Sequence, residues 1–233
     1  MSIEPVLKLN DLSFGYATGP DIIQIESFEI GKGESLFLRG PSGSGKSTLL
    51  GLIGGVLFPR AGEVRLCGTS MGELSAGARD QIRADHLGII FQQFNLLPYL
   101  NTIQNCVLPC QFSKLRRARA VEMSGSVERA AKELALGLGL TGADLKRPVG
   151  ALSVGQQQRA AAVRALIGAP DLIIADEPTS ALDHDNRARF IELLNTQRAA
   201  FGSSLLFVSH DSSLVPQFDR SASLPELNQI GAS

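Results

Sequence analysis

Leu36-Phe37-Leu38-Arg39-Gly40-Pro41-Ser42-Gly43-Ser44-Gly45-Lys46-Ser47 decides how the rest of the chain is read. An apolar run enters a loop of pattern G-x-x-x-x-G-K-S/T. From Lys46 onward, Leu49, Leu50 and Ile53 recur at helical spacing until Gly54-Gly55 and Pro59 stop the helix. Strand, glycine loop and helix in that order make an anion cradle. The glycines let the backbone curl so that several N–H groups converge, and the helix N-terminus adds its positive end. Gly40, Pro41, Ser42, Gly43, Ser44, Gly45 and Thr48 are therefore the candidate wall of a polyphosphate site. Lys46 is placed to neutralise β and γ oxygens, and the Ser47 hydroxyl to ligate Mg²⁺. By itself the loop leaves kinases, GTPases, helicases and transport ATPases all open.

Working outward, residues 6–12, 22–28, 35–40 and 63–67 read as strands separated by Gly, Pro and Asp, so the chain starts rich in β structure. Residues 94–152 have helical character, with a basic stretch at 114–119 and an amphipathic segment at 127–138. Short apolar runs at 172–175 and 204–209 flank a helix at 187–200, the rhythm of a parallel sheet. The tail after Phe218, rich in Ser and Pro, reads as irregular. In Leu172-Ile173-Ile174-Ala175-Asp176-Glu177 an apolar strand ends in two acids, at the sheet edge where such folds bind ligands. Asp176 is the candidate Mg²⁺ carboxylate, and Glu177 the group that orients or deprotonates an attacking water.

Leu152-Ser153-Val154-Gly155-Gln156-Gln157-Gln158-Arg159 resembles the LSGGQ signature of ABC-type ATPases, and it precedes the Asp-Glu strand as it does in that family. The resemblance covers roughly residues 6–210 and implies an α/β fold. That fold has a P-loop core with a mainly parallel sheet, an N-terminal antiparallel β subdomain and an inserted helical subdomain. Residues 1–92 and 160–233 would form the core, and 93–159 the insert. It also implies ATP and Mg²⁺ as ligands and a head-to-tail pair of copies, in which Ser153, Gly155 and Gln156 of one copy meet the γ-phosphate held by the other. Val154 departs from the family, which has Gly there, and restricts the backbone.

By the same resemblance, Tyr16 matches the aromatic that stacks on adenine. Gln92 matches the glutamine that touches Mg²⁺ and water, with Gln93 one position away as an alternative. Asp183 matches the acid of the loop that crosses the dimer interface. His210 joins Glu177, Lys46 and Gln92 as the catalytic set. The run from Phe91 to Pro98 and the short chain resemble the bacterial lipoprotein-release and macrolide-efflux subfamily, whose partner is an integral membrane subunit. A regulatory ATPase of cell division with a membrane partner would carry the same motifs. A translation ATPase would need tandem domains, and a DNA-break ATPase a long coiled coil; this sequence contains neither. The apolar segment 94–100 is where the family receives its membrane subunit, although the same side chains could fill the insert's own core.

Composition narrows the partners further. Lys+Arg 22 against Asp+Glu 23 gives no basic footprint, so nucleic acid is not expected. The longest apolar run, 49–58, is too short to cross a bilayer, and the N-terminus MSIEPVLKLN has no secretory pattern, which predicts a cytosolic chain; the resemblance implies that it sits at the cytoplasmic face of the inner membrane. Cys67, Cys106 and Cys110 make no CxxC pair, so they are expected to be small buried hydrophobes and not a zinc site. The 114–119 stretch is expected to be a solvated helix face, with lipid headgroups as the alternative.

Overall fold

The computed structural model describes residues 4–180 and 182–230. Strands β1 (Leu7–Phe14) and β2 (Ile23–Ile30) alternate buried with more exposed side chains, the mark of a sheet covered on one face. They pair antiparallel, and β4 (Ala61–Leu66) and β5 (Thr69–Ser70) extend this sheet in the order β2-β1-β4-β5. Four strands of the second sheet are runs buried along nearly their whole length, and the fifth, β9 (Arg220–Ser223) at its edge, is mostly exposed. The order of this sheet is β6 (Leu87–Ile90), β7 (Leu172–Asp176), β8 (Ser204–Ser209), β3 (Ser35–Arg39) and β9, and every pairing is parallel.

Two apolar clusters flank that parallel sheet, and the period of two along each strand divides its side chains between them. Leu36, Leu38, Leu206 and Val208 pack with the antiparallel sheet and α1 (Lys46–Ile53). Phe37, Leu205 and Phe207 face the other way, toward α6 (Val127–Gly137), α7 (Val154–Leu166) and α8 (His184–Ala200). Because all the strands run the same way, the ends of β3, β7 and β8 share one edge, where Arg39 pairs with Ser209 and Asp176 with Val208. The phosphate loop leaves from that edge.

Several expectations are corrected. The tail is ordered into β9, which pairs with β3, and a short helix α9 (Leu224–Leu227). Its Ser-rich composition hid an edge strand whose partner, Leu36 opposite Arg220, lies 184 residues earlier. Residues 76–90, which carry no motif, form helix α2 (Ala76–His86) and then β6. The helix expected at 187–200 starts earlier, at His184, because the Asp183 side chain accepts the Asn186 N–H at 2.9 Å and caps it.

The basic stretch is α5 (Lys114–Ser124), which follows α3 (Thr102–Val107) and α4 (Pro109–Phe112). Its Arg116 is not solvated but 2% exposed, donating to the carbonyls of Ile167, Leu87, Arg164 and Ala165. Burial pushes its guanidinium down to about 10, still charged at neutral pH. Gly168 makes this approach possible. At φ +71° a Cβ there would sit 2.3 Å from the Arg116 carbonyl oxygen. Cys106 and Cys110 are buried, and burial pushes the Cys106 thiol up to about 12. Cys67 is half-exposed, contrary to expectation.

Candidate active site

The loop from Gly40 to Lys46 turns on residues that tolerate positive φ. Gly43 lies at +82° and Gly45, the N-cap of α1, at +95°. This left-handed cap has no side-chain oxygen over the helix end, so the first-turn N–H groups are turned to the loop's concavity. Ser42, Gly43, Ser44, Gly45, Lys46, Ser47 and Thr48 line a cleft of about 820 Å³ together with Gln92, Asp176, Glu177 and His210. Gly40 and Pro41 contribute carbonyls instead, accepting from Lys46 Nζ at 2.7 and 3.0 Å. The Ser44 hydroxyl is buried at the loop's centre without a hydrogen-bond partner, as a donor intended for a ligand oxygen would be.

Glu177 is held from several sides. Its backbone N–H donates to the Val208 carbonyl at 2.9 Å, and φ is +44°, a left-handed conformation that costs a non-glycine residue about 1–3 kcal/mol. The strained turn swings its carboxylate off the end of β7. There the Ser209 hydroxyl donates to it at 3.2 Å, His210 Nδ1 lies 3.0 Å away, and Lys46 Nζ 3.8 Å away. Burial pushes the neighbouring Asp176 carboxyl up, Glu177 pushes it further, and Lys46 opposes both. A raised carboxyl beside phosphate donors is a site that a cation would restore to carboxylate.

Other sequence candidates lie elsewhere. Tyr16 is 56% exposed; its ring meets Phe14 edge-on and its hydroxyl is 3.4 Å from Thr48 Oγ1, outside the cleft lining. Ser153, Gly155, Gln156 and Asp183 line a second cleft, of about 340 Å³. There Ser153 and Gln156 form a reciprocal cap over the start of α7, with Ser153 N–H donating to Gln156 Oε1 at 2.9 Å. Val154, half-exposed at the first position of the helix, lines the same cleft. The signature residues thus share no wall with the phosphate loop of their own chain. Of the segment 94–100, Phe94 is buried in the core and Tyr99 is 78% exposed.

The first cleft's wall also includes Asp21 and Ile22, just before β2, and Pro225, Asn228 and Ile230 from the tail, none of them marked by a motif in the sequence. Asn228 fastens the tail to β2. Its Oδ1 accepts the Gln24 N–H at 2.7 Å and its Nδ2 donates to the Ile22 carbonyl at 3.0 Å. No local pattern announces a contact between residues 204 positions apart.

With this geometry in hand, the chain can be set beside known proteins. The family model described as ABC transporter matches residues 23–180. The Lipoprotein-releasing system ATP-binding protein LolD 1 of Rhodospirillum rubrum is 36% identical over 232 residues, 98% of this chain and 99% of that protein. The LolD protein of Novosphingobium aromaticivorans is 38% identical over 226 residues, 96% of this chain and 97% of that one. Among solved structures, the dimeric post-hydrolysis state of the ATP-binding cassette MJ0796, bound to ADP and Pi, superposes with a TM-score of 0.80. It has 34% identity and covers 93% of each chain. A second dimeric structure of MJ0796, described as a bacterial ABC transporter cassette, gives a TM-score of 0.77 at 32% identity.

Proposed function

The chain belongs to the ABC transporter family as an ATP-hydrolysing subunit, and on that premise we propose that two copies close head to tail on ATP and drive a membrane subunit of the lipoprotein-releasing kind. The observation that carries the pairing is the separation of the two clefts. The phosphate loop, Asp176, Glu177 and His210 line one and Ser153, Gly155 and Gln156 the other, so the second set serves a nucleotide held by a partner copy. Ser153 and the N–H groups opening α7 then face the γ-phosphate with a hydroxyl and a positive helix end.

In the reaction ATP + H₂O gives ADP and phosphate. Lys46 and the loop N–H groups spread the charge of the transferring phosphoryl group. Glu177, fixed by Ser209 and His210, orients the attacking water and accepts its proton as the bond to the bridging β–γ oxygen breaks. Ser47, Asp176 and Gln92 would hold Mg²⁺, which when bound neutralises phosphate charge. The orphaned Ser44 hydroxyl and the raised Asp176 carboxyl both fit such ligands. Tyr16 is assigned to the adenine ring, and residues 93–159 to the lobe that moves against the core. No helix among the described residues is long and apolar enough to cross a membrane. In this reading the subunit works at the cytoplasmic face through its partner, to which the exposed Tyr99 offers a contact.

Glu177→Gln keeps the shape of the side chain and removes the base. Size-exclusion chromatography with ATP is expected to show a stable dimer while phosphate release falls by two orders of magnitude or more, in the range of about 10²–10⁴-fold for a lost general base. A monomeric Glu177→Gln protein with full turnover refutes the proposal. Co-purification from membranes tests the partner: recovery with an integral subunit supports transport coupling, and recovery with division proteins redirects it to a regulatory role.

A further inference from the structure

At the opposite edge of the parallel sheet, Cys67, His86 and Asp171 converge, and they play no part in the nucleotide chemistry. One ligand atom from each, a thiol sulfur, a ring nitrogen and a carboxylate oxygen, all lie within 4.8 Å of one another. We propose that these three residues form a site for a divalent transition metal of the zinc class, with a fourth position open to water. All three are half-buried, so an ion can enter and keep a water ligand.

The three come from separate elements, each fixed by the fold. His86 ends α2 and Asp171 immediately precedes β7; the strands that follow them start in register, Leu87 opposite Leu172. Cys67 and Gly68 are the two-residue turn between β4 and β5, whose last pair is Leu66 with Thr69. Both turn residues have positive φ, +49° and +77°, as a two-residue hairpin turn requires. Such a turn normally takes Asn, Asp or Gly at its first position. Cys67 adopts it against its backbone preference, and that conformation presents the thiol to the sheet edge. The Cys67 N–H is tied to the Val6 carbonyl at 2.8 Å, which fixes the turn against β1's approach.

Sulfur, imidazole and carboxylate together suit Zn²⁺ and not Mg²⁺ or Ca²⁺, which prefer oxygen throughout. His86 Nδ1 lies 2.7 Å from Asp171 Oδ2, the spacing of a shared proton. Replacing that proton by a metal spreads the two atoms to about 3.3 Å at ordinary zinc bond lengths, within reach of a small side-chain rotation. Arg119 Nη1, 3.3 Å from the same carboxylate oxygen and anchored to the Ala169 carbonyl, steadies Asp171 from outside. A metal here would staple the β4–β5 hairpin of the antiparallel sheet to the floor of the parallel one.

The full chain, free of nucleotide and Mg²⁺, is titrated with Zn²⁺ against a chromogenic chelator and with Co²⁺ by absorption. One ion per chain is expected, with a near-ultraviolet thiolate-to-cobalt band. Zn²⁺ is expected to raise the Tm and to protect Cys67 from alkylation, while the buried Cys106 and Cys110 serve as internal controls. Cys67→Ser and His86→Asn should remove the band and weaken Zn²⁺ at least about tenfold, as loss of a ligand or its support does. If His86→Asn fails to fold, the near-isosteric Cys67→Ser decides. Absence of the cobalt band, or an unchanged zinc stoichiometry and Tm response in Cys67→Ser, overturns the proposal. So does a Cys67 that alkylates equally fast with and without Zn²⁺. None of these readings depends on ATP hydrolysis, so failure of the nucleotide assignment leaves the test intact.

Discussion

Gly45 caps α1 at φ +95°, and a Cβ there would meet Ile23 Cδ1 at 2.9 Å. The side chain of Ile23 can give way, but the backbone angle cannot be relieved without re-aiming the loop. Gly45→Ala is therefore expected to lose more than about 1 kcal/mol of stability and to weaken ATP binding, measured by thermal unfolding and nucleotide titration. Glycine and lysine positions of this kind were readable from the sequence because the motif spells out the local backbone that phosphate needs. The strain at Glu177 was not. Its left-handed φ arises only where β7 ends against the Val208 carbonyl, and nothing in Asp176-Glu177 as a dipeptide requires it.

The elements show where local pattern suffices. Helix α7 begins at the signature because Ser153 and Gln156 cap each other, a start signal visible in the residue spacing. Helix α5 shows the reverse. Its run of cations looks like a solvated face, yet one member, Arg116, ties α5 to the turn after α7 and to the start of β6. Arg116→Met keeps the volume but leaves these carbonyls without a donor. At about 1–3 kcal/mol for each buried group left unpaired, offset by the removed cost of burying a charge, a net loss of about 3 kcal/mol is expected in denaturant titration. A smaller loss than about 1 kcal/mol would mean that water takes over those acceptors.

Across the whole molecule, the tail closes a wall of the first cleft through Asn228, which holds Ile22 and Gln24 with the two ends of its amide. Asn228→Ala removes two hydrogen bonds worth about 0.5–1.5 kcal/mol each. It is expected to weaken ATP binding about threefold to tenfold while the far-ultraviolet circular dichroism stays unchanged; unaltered affinity would show that the tail is only a neighbour of the cleft. The sequence alone determined the phosphate loop, the acid-ended strand, the signature helix and the parallel sheet beneath them, because each follows from short-range chemistry: φ at glycine, caps at helix ends, unbroken apolar runs in doubly covered strands. Tertiary structure alone decided the edge strand β9, the burial of Arg116, the tail's place in the wall of the first cleft and the meeting of Cys67, His86 and Asp171. These depend on which distant segments share a sheet edge, and hydrogen bonding and burial between such segments leave no periodic trace in the chain.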